Sequence, residues 1–354
     1  MADVIRLGIA GAGWPGATIA RAAQNVAGIK VTAVADLIPD RRRKLLAETG
    51  ATEELADASE LTTHANIDAI VIALPNHLHA PIAIAAMKAG KHVLCEAPMG
   101  ISLKEARQIE SASKKSGKTF LLGLQRRFGP GEQAARQAIA KGYAGDVYHA
   151  RASWLRTRGQ PVGTGWYIDR TKSGGGVAID LGLHILDIAW HLMGEPAPTT
   201  VFATTQRRFI GHVPAGSKSS TAVANDKAVD VEDACCAVIR LEGGRTLELS
   251  SAWSINQPAS QNGTVCRLYG TDGAVEVYTP RGAILYRSFS ATGAAKEAEL
   301  KPPKVVHHVA MLKHFRNCVI GKEQPMCSAA SGVILMSMID AIYKSDASGK
   351  SVTL

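Results

Sequence analysis

The chain has 354 residues, of which 46% are apolar and 20% are charged, a composition that is typical of globular proteins and excludes a disordered or fibrous chain. This length predicts two domains, because single hydrophobic cores stop growing at about 250–300 residues. The formal net charge is +9, but the longest basic run (residues 41–44) lies in a predicted helix without interleaved aromatic side chains, so we expect scattered surface charge and no nucleic-acid partner.

Predicted strands and helices alternate along the first third of the chain. Strands are predicted at residues 4–10, 30–35, 68–74, 92–96 and 118–124. Helices are predicted after the first strand and at residues 39–49, 58–65, 81–89 and 102–117, the last opened by a capping box of Ser102 and Glu105. Because strands that alternate with helices form parallel sheets, we predict a doubly wound Rossmann domain at residues 1–124 and an α/β fold class.

The pattern changes after residue 124. Helices are predicted at residues 132–141, 177–193, 307–320 and 329–344, and a long strand at 146–157. Two hairpins are predicted, 234–241 with 245–253 and 265–269 with 274–278, because turns rich in Gly and Asp join their strands. We therefore predict an α+β domain with a largely antiparallel sheet at residues 125–354, with a mobile loop at 208–227.

The six cysteines form neither a C-x-x-C pair nor a zinc-binding spacing: Cys95, Cys235, Cys236, Cys266, Cys318 and Cys327. Cys235 and Cys236 are adjacent and are expected on opposite faces of a strand. Free thiols are typical of a reducing compartment. The first residues lead directly into a strand pattern, and no apolar run approaches the roughly 20 residues of a membrane helix. We expect a cytoplasmic protein without a metal and without membrane association.

Residues 11–16 read Gly-Ala-Gly-Trp-Pro-Gly, a G-x-G-x-x-G pattern between a buried strand and a helix. In that context Gly11 permits the tight turn, Gly13 lets the backbone approach a pyrophosphate, and Gly16 allows close packing of helix on strand. The N–H groups of the helix then face the anion, and Pro15 fits an early helical position. We therefore predict a dinucleotide site here, the alternative being an ordinary glycine-rich turn.

Asp36 ends the second predicted strand, 20 residues after Gly16. A carboxylate at that point accepts hydrogen bonds from the adenosine ribose and repels a 2′-phosphate, so NAD is favoured over NADP. Arg41 follows closely, and its guanidinium weakens this preference because it can bind such a phosphate.

The predicted helix 177–193 carries Asp180, His184, Asp187 and His191 at spacings of four, three and four residues, so the four share one face. Their neighbours are apolar, which indicates a helix buried nearly all round. Because burying titratable groups is costly, these residues are either partnered or functional. The preceding glycine run, residues 174–176, allows another group to approach closely.

Asp180 and His184 are candidates for a general-base pair, because a carboxylate beside an imidazole fixes its tautomer and raises its basicity. Such a histidine can take a hydroxyl proton while hydride leaves the same carbon. The alternative is a hydrogen-bonded core histidine. Asp187 and His191 are interpreted as structural. A metal site of Asp180, His184 and Asp187 is a much less favoured interpretation than proton transfer, because the sequence offers no obvious further nitrogen or sulfur ligands.

These motifs resemble the glucose–fructose oxidoreductase/inositol dehydrogenase (Gfo/Idh/MocA) family along nearly the whole chain. Five segments carry the resemblance in order: the turn at residues 11–16, Leu-Pro-Asn-His-Leu-His at 74–79, Gly-Lys-His-Val-Leu-Cys-Glu at 90–96, the glycine run with Asp180, Gly182, His184 and Asp187, and Ala-Ile-Tyr-Lys-Ser at 341–345.

The resemblance implies a Rossmann domain with an open-faced sheet that supports a homodimer or homotetramer. It implies oxidation or reduction of a secondary alcohol on a sugar, sugar derivative or cyclitol, with Asp180 and His184 as carboxylate and base. The implied cofactor contacts are Gly11, Gly13, Trp14, Pro15, Gly16, Asp36, Arg41, Leu74, Asn76, His79, Glu96 and Pro98. The implied border of the substrate cleft comprises Arg127, Trp154, Arg156, Arg158 and Tyr167, with Asp180 and His184.

One position departs from the family pattern. The signature Glu-Lys-Pro reads Glu96-Ala97-Pro98 here, and Ala97 offers neither a proton nor a positive charge. Three explanations stay open: an engineered replacement, a natural variant that relies on His184 alone, or a different net reaction. NAD-dependent glycosidases of this broad family lack the lysine and oxidise their sugar only transiently. The sequence therefore predicts an NAD-dependent sugar or polyol dehydrogenase, with a glycoside-cleaving enzyme and a non-catalytic NAD-binding regulator as alternatives.

Overall fold

The computed structural model describes residues 4–157, 165–208, 229–279, 282–288 and 295–354. By their internal contacts these residues form two compact units. The first spans Met1–Phe128 and Val305–Val333, and the second spans Gly129–Lys304 and Ile334–Leu354.

The first unit is built on a six-stranded sheet whose strands are all parallel. The strand order is β3-β2-β1-β4-β5-β6, which is the order of a Rossmann fold and confirms the predicted α/β class. β4 is buried along its whole length, as expected of a strand covered on both faces. The strands are β1 (Ile5–Ala10), β2 (Ile29–Ala35), β3 (Glu53–Leu55), β4 (Ala69–Ile72), β5 (His92–Glu96) and β6 (Phe120–Gly123).

Helices connect these strands: α1 (Trp14–Ala23), α2 (Pro39–Thr49), α3 (Glu60–Thr63), α4 (His79–Lys88) and α5 (Leu103–Ser116). α2 has the predicted bounds, whereas α3 keeps only four residues of the helix expected at 58–65. The capping box of α5 is confirmed in its first half, since Ser102 accepts the N–H of Glu105 at 3.2 Å. The Glu105 carboxylate accepts the N–H of Ile101, one residue before the expected partner.

The second unit contains a nine-stranded sheet of order β14-β13-β12-β11-β7-β10-β9-β8-β15. β7 and β10 are parallel and all other neighbours are antiparallel, which confirms a largely antiparallel sheet. Its strands are β7 (Val147–Leu155), β8 (Pro198–Gln206), β9 (Ala234–Leu241), β10 (Thr246–Ala252), β11 (Gly263–Gly270), β12 (Gly273–Thr279), β13 (Gly282–Ser288), β14 (Ala295–Leu300) and β15 (Val352–Thr353).

The helices of the second unit are α6 (Pro130–Ala140), α7 (Arg170–Ser173) and α8 (Leu183–Leu192). The last two helices are α9 (His307–Val319), which lies in the first unit, and α10 (Ala329–Ser348). α6 and α8 pack against the nine-stranded sheet. Burial alternates along β9, where Cys235 is buried and Cys236 is exposed, so these two cysteines lie on opposite faces as predicted.

The helix predicted at 177–193 is not one α-helix. It begins as a π-helical turn (Ala178–Gly182), in which the N–H of Gly182 donates to the carbonyl of Val177, and continues as α8. Gly182 packs closely against Ser251 at this turn, so that a side chain on Gly182 would press against the Ser251 hydroxyl. The regular 3.6-residue spacing assumed for Asp180 and His184 is therefore wrong at this turn.

None of the helices in the described ranges is long and apolar enough to cross a membrane. Within the same ranges, no three His, Cys, Asp or Glu side chains group as metal ligands would. The mobile loop predicted at 208–227 falls, beyond Arg208, outside the described residues.

Candidate active site

The glycine-rich turn follows β1 and leads into α1. Gly11 has a φ of 95° and faces the carbonyl of Ala73, with which any side chain would collide, and a side chain on Gly16 would collide with the carbonyl of Gly11. Gly13 differs, because its side-chain position is open, with only Pro15 Cδ nearby at 3.9 Å. No side chain of the described residues caps the start of α1, where Pro15 occupies the first turn. These features fit a pyrophosphate at the helix N-terminus.

Asp36 lies directly against this turn. Its Oδ2 accepts the N–H of Ala12 at 2.7 Å, and its Oδ1 accepts the N–H of Ile38 at 2.8 Å. Each carboxylate oxygen has two lone pairs, so both retain capacity for a ribose hydroxyl. The structure thus places Asp36 against the glycine-rich turn, the two features from which the sequence predicts a dinucleotide site.

Arg41 lines a hollow of about 260 Å³ beside the turn, together with Trp14 and Lys44. Trp14 is 77% exposed, so its indole is accessible to a ligand. Arg42, rather than Arg41, contacts the strand end, where its Nη1 donates to the backbone carbonyl of Asp36 at 2.5 Å. Arg41 is exposed beside the turn, and its contact with the cofactor stays a prediction.

His79 connects the loops that follow β4 and β5. Its ring is 1% exposed, with Nδ1 2.6 Å from the carbonyl oxygen of Pro98 and Nε2 2.7 Å from that of Leu74. Burial lowers the pKa of His79, and the two carbonyl oxygens act in the opposite direction. The structure gives His79 a role in holding these two loops, and its contact with the cofactor stays a prediction.

Glu96 is the last residue of β5, and Ala97 follows it directly. Burial raises the pKa of Glu96 to about 7, and a hydrogen bond from the Ala97 N–H acts against that rise. A side chain on Gly123, at the end of β6, would press on the Cys95 carbonyl and on the Glu96 backbone. The Ala97–Pro98 peptide is cis. Asn76, also predicted to contact the cofactor, is buried at the start of a 3-10 turn after β4.

Arg127 is 1% exposed in the first unit, where its Nη1 donates to the carbonyl of Met326 at 2.7 Å. A guanidinium in this environment is held by protein groups. Its role in substrate binding stays a prediction.

In the second unit, Asp180 is half-buried on the π-helical turn. Its Oδ2 accepts the indole N–H of Trp253 at 2.7 Å. Burial raises the pKa of Asp180, while the Trp253 hydrogen bond and the charge of Arg156 lower it. Trp253 follows β10 directly, and it was not predicted as a site residue because no local pattern marks it as the partner of Asp180.

His184 follows at the second residue of α8. Its ring centre lies 6.2 Å from that of Trp154, and the Arg156 guanidinium lies 5.3 Å from the same Trp154 ring. The structure thus groups four predicted residues: Trp154, Arg156, Asp180 and His184. Tyr167 stacks on Trp166 with ring centres 3.9 Å apart, and Arg158 lies outside the described residues.

The glycine run before this turn has an internal explanation. A side chain on Gly175 would collide with the hydroxyl of Tyr343, and one on Gly176 would collide with the backbone carbonyl of Glu232. Gly174 has a φ of 85° and ends α7. The group expected to approach the glycines therefore belongs to this chain. Sequence reasoning missed Glu232 altogether.

Asp187 is fully buried, and His191 places its Nδ1 2.8 Å from a carboxylate oxygen of Glu195 at the end of α8. The structural role of both residues stays a prediction.

Two family profiles match the chain in succession. Residues 5–124 match the NAD-binding Rossmann fold of the Gfo/Idh/MocA oxidoreductases. Residues 133–276 match the C-terminal domain described for the same group.

Individual relatives align over nearly the full chain. D-glucoside 3-dehydrogenase of Escherichia coli (strain K12) is 25% identical over 333 residues, covering 92% of this chain and 90% of the relative. Inositol 2-dehydrogenase of Rhizobium meliloti (strain 1021) is 26% identical and 99% of each chain is covered. A solved levoglucosan dehydrogenase in complex with NADH and levoglucosan has a TM-score of 0.85 at 21% identity, over 99% of both chains, which shows a shared fold.

Proposed function

Because the chain belongs to the Gfo/Idh/MocA family of NAD-binding oxidoreductases, we propose that it oxidises or reduces a secondary alcohol of a sugar, sugar derivative or cyclitol. The observation that carries this proposal is the grouping of Asp180 and His184 with Trp154 and Arg156. An aromatic face and a guanidinium suit the apolar and hydroxyl faces of a sugar. The relatives D-glucoside 3-dehydrogenase and inositol 2-dehydrogenase act on compounds of this class by their names.

His184 acts in this proposal as the general base that takes the hydroxyl proton of the substrate. Asp180 supplies negative charge near it, and its carboxylate is oriented by the Trp253 indole at 2.7 Å. NAD, when bound, supplies the hydride acceptor. The chain binds the pyrophosphate at Gly13 and the ribose at Asp36, and further cofactor contacts come from Trp14, Leu74 and Glu96.

The cofactor is NAD rather than NADP. This preference is supported by the position of the Asp36 carboxylate, which lies 2.7 Å from the turn N–H of Ala12 and would repel a 2′-phosphate. The exposed Arg41 in the adjoining hollow limits the preference and does not reverse it.

Ala97 favours a second candidate, an NAD-dependent glycoside-cleaving enzyme. Such an enzyme oxidises the sugar transiently, eliminates the aglycone and then reduces the product again, so that NAD is regenerated. The reason is that position 97 carries alanine, where the family resemblance implies a lysine.

The outer face of the nine-stranded sheet is proposed to pair with a second copy of the chain. It carries Phe202 and Val238, which are 47% and 48% exposed, around a hollow of about 610 Å³ that Val265 also lines. Exposed apolar residues on one sheet face support a homodimer or homotetramer, which light scattering can measure.

A panel of sugars, cyclitols and glycosides with NAD tests the proposal. Stoichiometric NADH formation with a sugar or cyclitol supports the dehydrogenase. Aglycone release at constant NAD supports the glycoside-cleaving enzyme. NAD binding without turnover of any compound would overturn both and leave a non-catalytic regulator.

A further inference from the structure

The helical segment that carries Asp180 begins at one buried carboxylate. Glu232 is 5% exposed and lies two residues before β9. Its two carboxylate oxygens each lie 3.0 Å from the N–H of Gly176, and Oε1 also accepts the N–H of Ala178 at 2.9 Å. Its backbone carbonyl accepts the N–H of Val177 at 3.1 Å. A single residue therefore binds three successive N–H groups at the start of this segment.

Tyr343 of α10 holds the same carboxylate from another direction. Its hydroxyl donates to Oε1 of Glu232 at 2.9 Å, and the guanidinium of Arg170 lies 4.4 Å from the centre of its ring. Burial raises the pKa of Glu232, whereas the Tyr343 hydroxyl and the N–H donors act against that rise. Because a buried carboxylate is costly without partners, this full set of donors indicates a fixed structural position.

The glycines make this close packing possible. Side chains on Gly175 and Gly176 would collide with the Tyr343 hydroxyl and with the Glu232 backbone, respectively. The backbone of the first turn therefore lies in direct contact with both groups, and neither can shift without moving it.

A short path of hydrogen bonds leads from Glu232 to the candidate active site. Gly176, which donates to Glu232, accepts the N–H of Asp180 at 3.1 Å. The Asp180 carboxylate in turn accepts the Trp253 indole N–H at 2.7 Å. A rotation of the first turn would thus move the Asp180 carboxylate relative to Trp253 and would tilt the start of α8, where His184 lies.

We propose that Glu232, together with Tyr343, is a positioning residue that fixes the turn presenting Asp180 and His184. The inference rests on the proposed dehydrogenase function, and it adds two residues that touch neither substrate nor cofactor. Glu232 acts through the backbone of the turn, because its carboxylate is occupied by Gly176, Ala178 and Tyr343.

The test compares Glu232→Gln and Tyr343→Phe with the parent and with Glu242→Gln, which alters an exposed acid after β9. The glutamine keeps one oxygen to accept the Ala178 N–H and the Tyr343 hydroxyl, but it removes the negative charge and places an amide NH₂ against the N–H of Gly176. We expect kcat to fall about 10- to 100-fold in Glu232→Gln, because small misplacements of reacting groups carry penalties of that size, and to fall less in Tyr343→Phe. The Kd for NAD and the Glu242→Gln rates should not change. Glu232→Asp keeps a carboxylate, so its kcat should lie between that of Glu232→Gln and that of the parent.

A readout independent of turnover is the indole N–H resonance of Trp253, assigned with Trp253→Phe. Its chemical shift reports the hydrogen bond to Asp180 and should change in Glu232→Gln but not in Glu242→Gln. The amides of residues 176–178 should also exchange faster with solvent. If the parent shows no turnover, the proposed function fails, while these two measurements still test the positioning role. A folded Glu232→Gln protein with the parent kcat and an unchanged Trp253 resonance would overturn the inference, even if its thermal stability were lower.

Discussion

Replacing Asp36 by alanine tests how the chain selects its dinucleotide. The carboxylate accepts N–H groups from Ala12 and Ile38, which are 8% and 43% exposed. The variant leaves the Ala12 N–H without its acceptor, which should lower the free energy of unfolding by about 1–3 kcal/mol. It also removes the proposed acceptor of two ribose hydroxyls. Hydrogen bonds to a charged group contribute about 1.5–3 kcal/mol each, so a combined loss of about 3 kcal/mol predicts roughly 10²-fold weaker NAD binding.

Calorimetric titration of the parent and the variant with both nucleotides measures the effect. NADP binding should stay equal or tighten, because the repulsion of its 2′-phosphate by Asp36 disappears while Arg41 and Lys44 remain beside the turn. The control is Asp40→Ala, which removes a nearby carboxylate on α2 whose side chain is 95% exposed. This variant should leave the affinities for NAD and NADP unchanged.

The result that would refute this reasoning is an equal loss of NAD and NADP affinity in a folded Asp36→Ala protein. Such a loss would mean that Asp36 acts by shaping the turn through Ala12 and not by contacting the ribose. Equal or tighter binding of NADP by the parent would show that Arg41 dominates.

Three further predictions concern the remaining site residues. His184→Ala should lower turnover about 10²–10⁴-fold with NAD affinity kept, and a variant that works near the parent rate would make His184 a core residue. Ala97→Lys should raise single-turnover NADH formation by about 10²-fold and add a limb to the pH–rate profile, and the absence of any gain would contradict a dehydrogenase that lacks only its lysine. The folded-state pKa of Glu96, about 7, lies above its ordinary value of 4.5, so the free energy of unfolding should fall as the pH rises between these values. Glu96→Gln should remove this fall, a difference of at most about 3 kcal/mol at pH 8 in urea titrations, and equal pH dependence in both proteins would contradict the assigned environment.

The Rossmann half of the fold could be predicted because its signals are local. The apolar run before Gly11 marks β1, and the spacing of Gly11, Gly13 and Gly16 determines the turn. The helix at 39–49 has its predicted bounds because Pro39 opens it and Gly50 ends it. The glycine-rich turn and the ends of this helix depend on residues that are close together along the chain, so a single sequence is enough to predict them.

The candidate site could be predicted only in part, because its geometry depends on distant residues. Glu232 binds Gly176 from 56 positions away, and its neighbours resemble the entry to an ordinary strand. The π-helical turn lies beside that contact and beside the close approach of Ser251 to Gly182, and the helical spacing of Asp180 and His184 gave no sign of it. His79 was recognised as a motif residue, yet its carbonyl partners could be found only in the structure.

The central claim is that hydride passes between a secondary carbinol and NAD. Incubation with NAD and sugars or cyclitols deuterated at their carbinol carbons, followed by mass spectrometry of the nicotinamide, tests it most directly. We expect deuterium on the nicotinamide ring in the parent protein and its near absence in His184→Ala. A protein that binds NAD but transfers no deuterium from any sugar, cyclitol or glycoside would contradict it.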